Sequence, residues 1–158
     1  MSDRDDDPYA IAMARGLEVF ADDRPDVLML DLDADDVAGA PVEPPAVNPA
    51  VLALLDSYEV PTLVPGPVTV SPGGRGRHAY FHAPYATLDH GERLFLQAVL
   101  GSDPKREAMN YVRLMRNEGE NARPVGVLFE TQPEAVRVRE WLLSLPPPPP
   151  KAPDEAVP

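Results

Sequence analysis

A chain of 158 residues with 44% hydrophobic residues is long enough to form one domain that buries its own core. Its formal charge of −12 argues against broad binding to duplex nucleic acid, which depends on Lys and Arg neutralising phosphates. The absence of cysteine excludes disulfides, thiolate metal sites and cysteine nucleophiles. No apolar run approaches the roughly 18 residues of a membrane span. Met1–Asp7 lacks the basic and apolar regions of a signal peptide, so a cytoplasmic protein without membrane contact is expected. The acidity itself has two readings: it keeps the protein soluble, or it meets a basic partner surface as a nucleic-acid mimic would.

Residues 1–7 form an acidic leader, expected to be disordered, and the folded domain is expected over 8–145. Pro8 suits the first turn of a helix, and Ile11, Ala14, Leu17 and Phe20 follow at helical spacing, which predicts a helix over 8–21. Val27–Asp33 is apolar on both faces until its acids and reads as a buried strand. After a loop over 34–47, Asn48-Pro49 starts a helix that runs to about Tyr58. Thr62–Val70 is a strand that Pro65-Gly66-Pro67 demotes to an edge or splits. The turn at Gly73-Gly74 leads into a strand over Arg77–His82, so the two form a hairpin.

A helix starting at Thr87 or Asp89 runs through Leu100 and stops at Gly101. The next begins at Asp103-Pro104, with Ala108, Tyr111, Val112 and Met115 expected inward and Gly119 past its end. Pro124–Glu130 is a strand, Thr131–Glu134 matches a capping box, and a helix continues to Leu145. Pro146–Pro150 then opens a flexible Pro-rich tail over 146–158.

From Val27 onward this order is β-α-β-β-α-β. It is the α+β pattern of a ferredoxin-like or RRM-like core, with extra helices at the N-terminus, in the second crossover and at the C-terminus. In that topology the first and third strands are antiparallel neighbours. The end of Val27–Asp33 therefore lies beside the start of Arg77–His82, which brings Asp31 and Asp33 to Arg77 and His78.

Two carboxylates at i and i+2 on a strand share a face, and such a pair suits Mg²⁺ or Mn²⁺, which prefer oxygen ligands. The plain alternative is a strand that ends in acids where it meets solvent, a trend that Asp35 and Asp36 continue. Arg75, Gly76, Arg77 and His78 offer backbone and guanidinium donors to phosphate, or else form a hairpin loop with solvating arginines. Glu130, at the end of the last strand, is a third acid for metal. The ferredoxin-like order, however, sends it to the edge away from His78 and favours an acid beside the Thr131 cap. Arg106, Asn110 and Arg113 share a helix face that either tracks a nucleic-acid backbone or is simply solvated, the commoner case. Trp141 and Tyr111 are expected in the core, and His82 and His90 show no partner spacing.

These residues resemble the archaeo-eukaryotic primase superfamily, which includes primase–polymerases of plasmids and phages. Leu30-Asp31-Leu32-Asp33 is similar to its acidic motif at the end of an apolar strand. Gly76–Phe81 is similar to its Ser-x-His strand, with Gly76 in the serine position, and Val127–Glu130 to its third acidic motif. The resemblance implies Asp31 and Asp33 as catalytic metal ligands and His78 as a nucleotide-phosphate contact. The chain, including Leu96–Asp103, is also similar to small proteins of bacteriophages and actinobacteria.

Two functions follow as expectations. The first is a minimal primase-like nucleotidyltransferase that binds divalent metal through Asp31, Asp33 and Glu130 and nucleotide through Arg75, Arg77 and His78. It would act in DNA replication of a phage or mobile element, with single-stranded nucleic acid as a further partner. The second is a non-catalytic acidic protein that binds a basic host protein such as a nuclease or replication protein.

Overall fold

Local sequence starts and stops most of the elements. Asp7 caps the first helix, its carboxylate accepting from the Tyr9 amide at 3.0 Å, and Pro8 occupies the first turn. The computed structural model describes residues 7–33, 49–57, 63–84, 88–116 and 126–148. In chain order its elements are α1 (Pro8–Arg15), β1 (Glu18–Ala21), β2 (Val27–Asp33), α2 (Pro49–Ser57), β3 (Val64–Val70), β4 (Gly76–His82), α3 (His90–Val99), α4 (Pro104–Arg116), β5 (Val127–Glu130) and α5 (Gln132–Ser144). The leader before Asp7, the loop 34–47 with the Asn48 cap, Tyr58, Thr62, Thr87, Gly119, Pro124 and the tail from 149 onward lie outside the described residues. Among the described residues no helix is long and apolar enough to cross a membrane.

The expected helix over 8–21 ends early. Gly16 adopts φ +67°, its amide bonds back to Met13, and the Leu17 amide bonds back to Ala12, which closes α1 with a left-handed cap. The chain then extends, and Val19 and Phe20 enter β1, which pairs antiparallel with β5. Phe20 is buried in both accounts, but on a strand instead of a helix.

The main sheet is antiparallel with order β2-β4-β3. As expected, β2 and β4 are antiparallel neighbours, with Asp31 opposite His78 and Asp33 opposite Gly76. β3 is an edge strand whose register slips between Pro65 and Val68, where proline cannot donate to the ladder. One sheet face carries Leu28, Leu30, Leu32, Ala79 and Phe81 against Leu88, Leu96 and Leu100. The other carries Val27, Met29 and Tyr80 against Phe20, Leu128, Ala135 and Val138. Tyr80 meets Phe20 and Trp141 edge-on, with ring centroids 6.4 and 6.1 Å apart. Trp141 thus sits against the core as predicted. The architecture is α+β with two small antiparallel sheets, since β5 forms its ladder with β1.

The outer edge of β2 is closed by side chains. The Met29 amide donates to Gln97 Oε1 at 3.0 Å and the Asp31 amide to Ser102 Oγ at 3.0 Å. The Asp103 amide donates to the Asp31 carbonyl at 2.7 Å, and Arg106 Nη1 to the Met29 carbonyl at 3.1 Å. Buried Glu107 holds this set together by accepting from Gln97, Ser102 and Arg106. An uncovered edge would leave these strand groups for another chain to pair with.

This closure turns α4 over relative to the sequence expectation. Glu107 and Asn110 are buried, whereas Tyr111, Val112 and Met115 are 56%, 46% and 51% exposed and Ala108 is also exposed. The face holding Arg106 and Asn110 is an inward polar seam and not a solvated surface. The capping box expected at α5 is also replaced. Thr131 makes no side-chain cap bond, and Glu134 accepts instead from the Val70 amide of β3 at 2.7 Å. At α3 the box is present: Asp89 accepts from the Glu92 amide while Glu92 reaches back to the Asp89 amide.

Candidate functional site

Strand register brings Asp31 and His78 face to face, with Asp31 Oδ1 and His78 Nε2 3.7 Å apart. His78 is 4% exposed, and its Nδ1 lies 2.5 Å from Glu130 Oε1. The same oxygen accepts from Thr69 Oγ1 and from Tyr80 Oη, both at 2.8 Å. Burial, followed by the adjacent Glu130 carboxylate, pushes the Tyr80 hydroxyl well above its ordinary range and keeps it a proton donor. Glu130 is 0% exposed, and its Oε2 is buried without a hydrogen-bond partner among the described residues.

The expectation that Glu130 lies away from His78 is therefore overturned. β5 does not run along the sheet edge to carry Glu130 off. It packs with β1 and α5 over the face that bears Met29 and Tyr80, and its terminal side chain enters between β3 and β4. The sequence offered one signal for this partnership: His78 and Tyr80, two apart on a strand, share a face. Thr69 carried no such signal.

His78 and Asp31 line a cleft of about 410 Å³. Asp103, Lys105, Arg106 and Arg113 border it from α4 and its approach, Arg15 from α1, and Pro72-Gly73 from the hairpin turn. Arg106 is tied to the Met29 carbonyl and Glu107, so it shapes the wall, while Arg15, Lys105 and Arg113 are exposed. These cations were not assigned to the site from sequence.

The basic residues that were assigned do not gather here. Arg75 is exposed in the turn. Arg77 lies opposite Leu32 and Val70, alternating with His78, so its side chain leaves the other face of the sheet and bonds to the Gly76 carbonyl at 2.8 Å. Asp33 pairs with Gly76 through its backbone. A Cβ on Gly76 would stand 3.1 Å from the Leu32 carbonyl oxygen, so this crossing favours glycine.

A divalent ion fits part of this donor set. Asp31 Oδ1 and His78 Nε2 offer an oxygen and a nitrogen on the cleft floor, leaving the remaining positions to water or ligand oxygens. Glu130 does not fit as a direct ligand, because its Oε1 already has three partners and the side chain is enclosed. Among the described residues no group of three or more His, Asp or Glu converges as a metal cage.

No family model, curated protein or solved structure matches the chain. What the fold and site define is a class: an α+β domain with a buried carboxylate–histidine pair opening on a cleft of mixed charge.

Proposed function

We propose that this cleft binds a nucleoside triphosphate together with a divalent cation, as a minimal primase-like domain with nucleotidyl transfer as its chemistry. The observation that carries this reading is the Asp31–His78 pair, 3.7 Å apart, on the floor of a cleft bordered by exposed Arg15, Lys105 and Arg113. Asp31 would hold the ion, with His78 beside the phosphates and the three cations along them. The chemistry such an ion supplies is neutralisation of phosphate charge. The β2-β4-β3 order supports a ferredoxin-like core with β5 as its displaced fourth strand.

Calorimetry with Mn²⁺ or Mg²⁺ and a nucleoside triphosphate checks the reading. Asp31→Ala is expected to weaken binding at least about tenfold, or about 1.4 kcal/mol. Binding that is absent in the parent chain, or unchanged in the variant, overturns it.

A second reading, a non-catalytic partner of a basic host protein, draws support from the chain's −12 charge. It expects a basic protein to be retained from host lysate at low salt and released as the salt is raised. Retention that salt does not weaken counts against it.

A further inference from the structure

We infer that the open edge of β1, with the apolar groove beside it, takes an extended peptide strand that carries an apolar side chain flanked by Lys or Arg. This surface is separate from the cleft, and the inference does not depend on the nucleotide reading.

Hydrogen-bond parity fixes which groups of β1 face outward. The Asp22 amide donates to the Gly126 carbonyl at 3.1 Å, one step beyond the pair Ala21 and Val127. Bonded pairs alternate along an antiparallel ladder, so Glu18 and Phe20 also turn their amides and carbonyls to β5, while Val19 and Ala21 turn theirs away. On β5 the same parity turns the Val127 carbonyl outward, where Arg106 Nη2 donates to it at 3.4 Å.

The main sheet guards its edges. Gln97, Ser102 and Arg106 bond to β2. On β3, Pro65 and Pro67 have no amide to offer, Arg137 donates to the Val68 carbonyl at 3.3 Å, and Glu134 accepts from the Val70 amide. β1 has no such cover: among the described residues no group bonds to the outward amides and carbonyls of Val19 and Ala21. Donors and acceptors that recur every second residue match an extended main chain.

Beside this edge lies a groove of about 180 Å³, lined by Val27, Met29, Tyr80 and Leu142 together with Val19 and Ala21. It has room for an apolar side chain of the added strand. It shares no lining residue with the cleft, which Val127, Leu128 and Phe129 of β5 line.

Charge selects the occupant. Asp22 and Asp23 border the groove, and Asp23 is exposed, while the Arg24 guanidinium is taken by Asp26. Two copies joined antiparallel through Val19 and Ala21 would set Glu18 of each opposite Asp22 of the other, and like charges facing across strands destabilise a pair. Each copy also carries a charge of −12. A basic strand meets the opposite sign.

The test is selection of a phage-displayed peptide library on the full chain, followed by NMR hydrogen exchange with a selected peptide. The selected sequences are expected to alternate apolar residues with Lys or Arg. The peptide should slow exchange at the Val19 and Ala21 amides at least about fivefold, and its affinity should fall as salt is raised. Methylating its backbone nitrogens at the pairing positions should weaken binding about fivefold or more. Ala21→Pro, which removes an outward amide but no bond to β5, and Asp23→Lys should weaken it by a similar factor. A library that yields no binder overturns the inference, as do binders that leave the two amides unprotected or tolerate backbone methylation. Protection of both amides in the free chain also overturns it, because another segment or a second copy then covers the edge. The exchange and methylation readouts use the parent chain and require no variant to fold.

Discussion

Glu130→Ala is expected to destabilise the fold by about 3–5 kcal/mol, among the largest effects of any single substitution in the chain. The carboxylate is 0% exposed and serves as the common acceptor for Thr69, His78 and Tyr80. Alanine strands three buried donors, each of which loses its partner, and leaves a void beneath β4. Tyr80→Phe removes one donor and leaves the acceptor two others, so about 1 kcal/mol is expected. Urea denaturation of the parent and both variants measures the difference. A Glu130→Ala variant within about 1 kcal/mol of the parent would show that the three contacts do not hold β5 to the main sheet.

The second large effect lies at the other end of β4. Asp26, 1% exposed, accepts from Arg24 Nε at 2.9 Å and Nη2 at 2.7 Å, and His82 Nε2 lies 2.9 Å from the same carboxylate. Arg24 Nη2 also donates to the Pro146 carbonyl at 2.6 Å, which ties the β1–β2 turn to the chain leaving α5. Burial pushes the Asp26 carboxyl upward, but hydrogen bonds from Arg24 and His82 and the guanidinium charge outweigh it and hold the carboxyl below its ordinary range. A depressed carboxyl contributes stability that is fully present above its unfolded value and is lost as the pH falls through its folded value. Asp26→Asn is therefore expected to cost about 3 kcal/mol at neutral pH, with the gap to the parent closing below about pH 4. Urea melts at a series of pH values check this; a gap that stays constant into strong acid contradicts it.

Several elements were legible because their signals are local. β2 shows as an apolar run on both faces, α3 as a helix from a Thr87 or Asp89 start to the Gly101 stop, and β3 as an edge strand marked by its prolines. β1 was misread because Leu17 and Phe20 continue a helical spacing across Gly16, and the glycine, in its left-handed cap, outranked the spacing. On α4 periodicity identified two faces correctly, but polarity pointed the wrong one inward. The backbone groups of Met29 and Asp31 at the β2 edge needed polar partners, and Arg106 reaches them directly, and Glu107 through Gln97 and Ser102, only if the apolar stripe faces out.

The candidate site divides along the same line. The sequence by itself placed the acidic end of β2 beside the start of β4, through the order of its elements, while the register that sets Asp31 opposite His78 came only with the pairing of the two strands. It also marked Glu130 as the third acid but sent it to the wrong place. Only the tertiary structure decided that β5 pairs with β1 and crosses the sheet face, and that Arg77 leaves by the opposite face while Arg15, Lys105 and Arg113 border the cleft. The physical reason is that a buried carboxylate goes where donors converge. Thr69, His78 and Tyr80 come together only after β3 and β4 have paired, an event that no local pattern in the chain encodes.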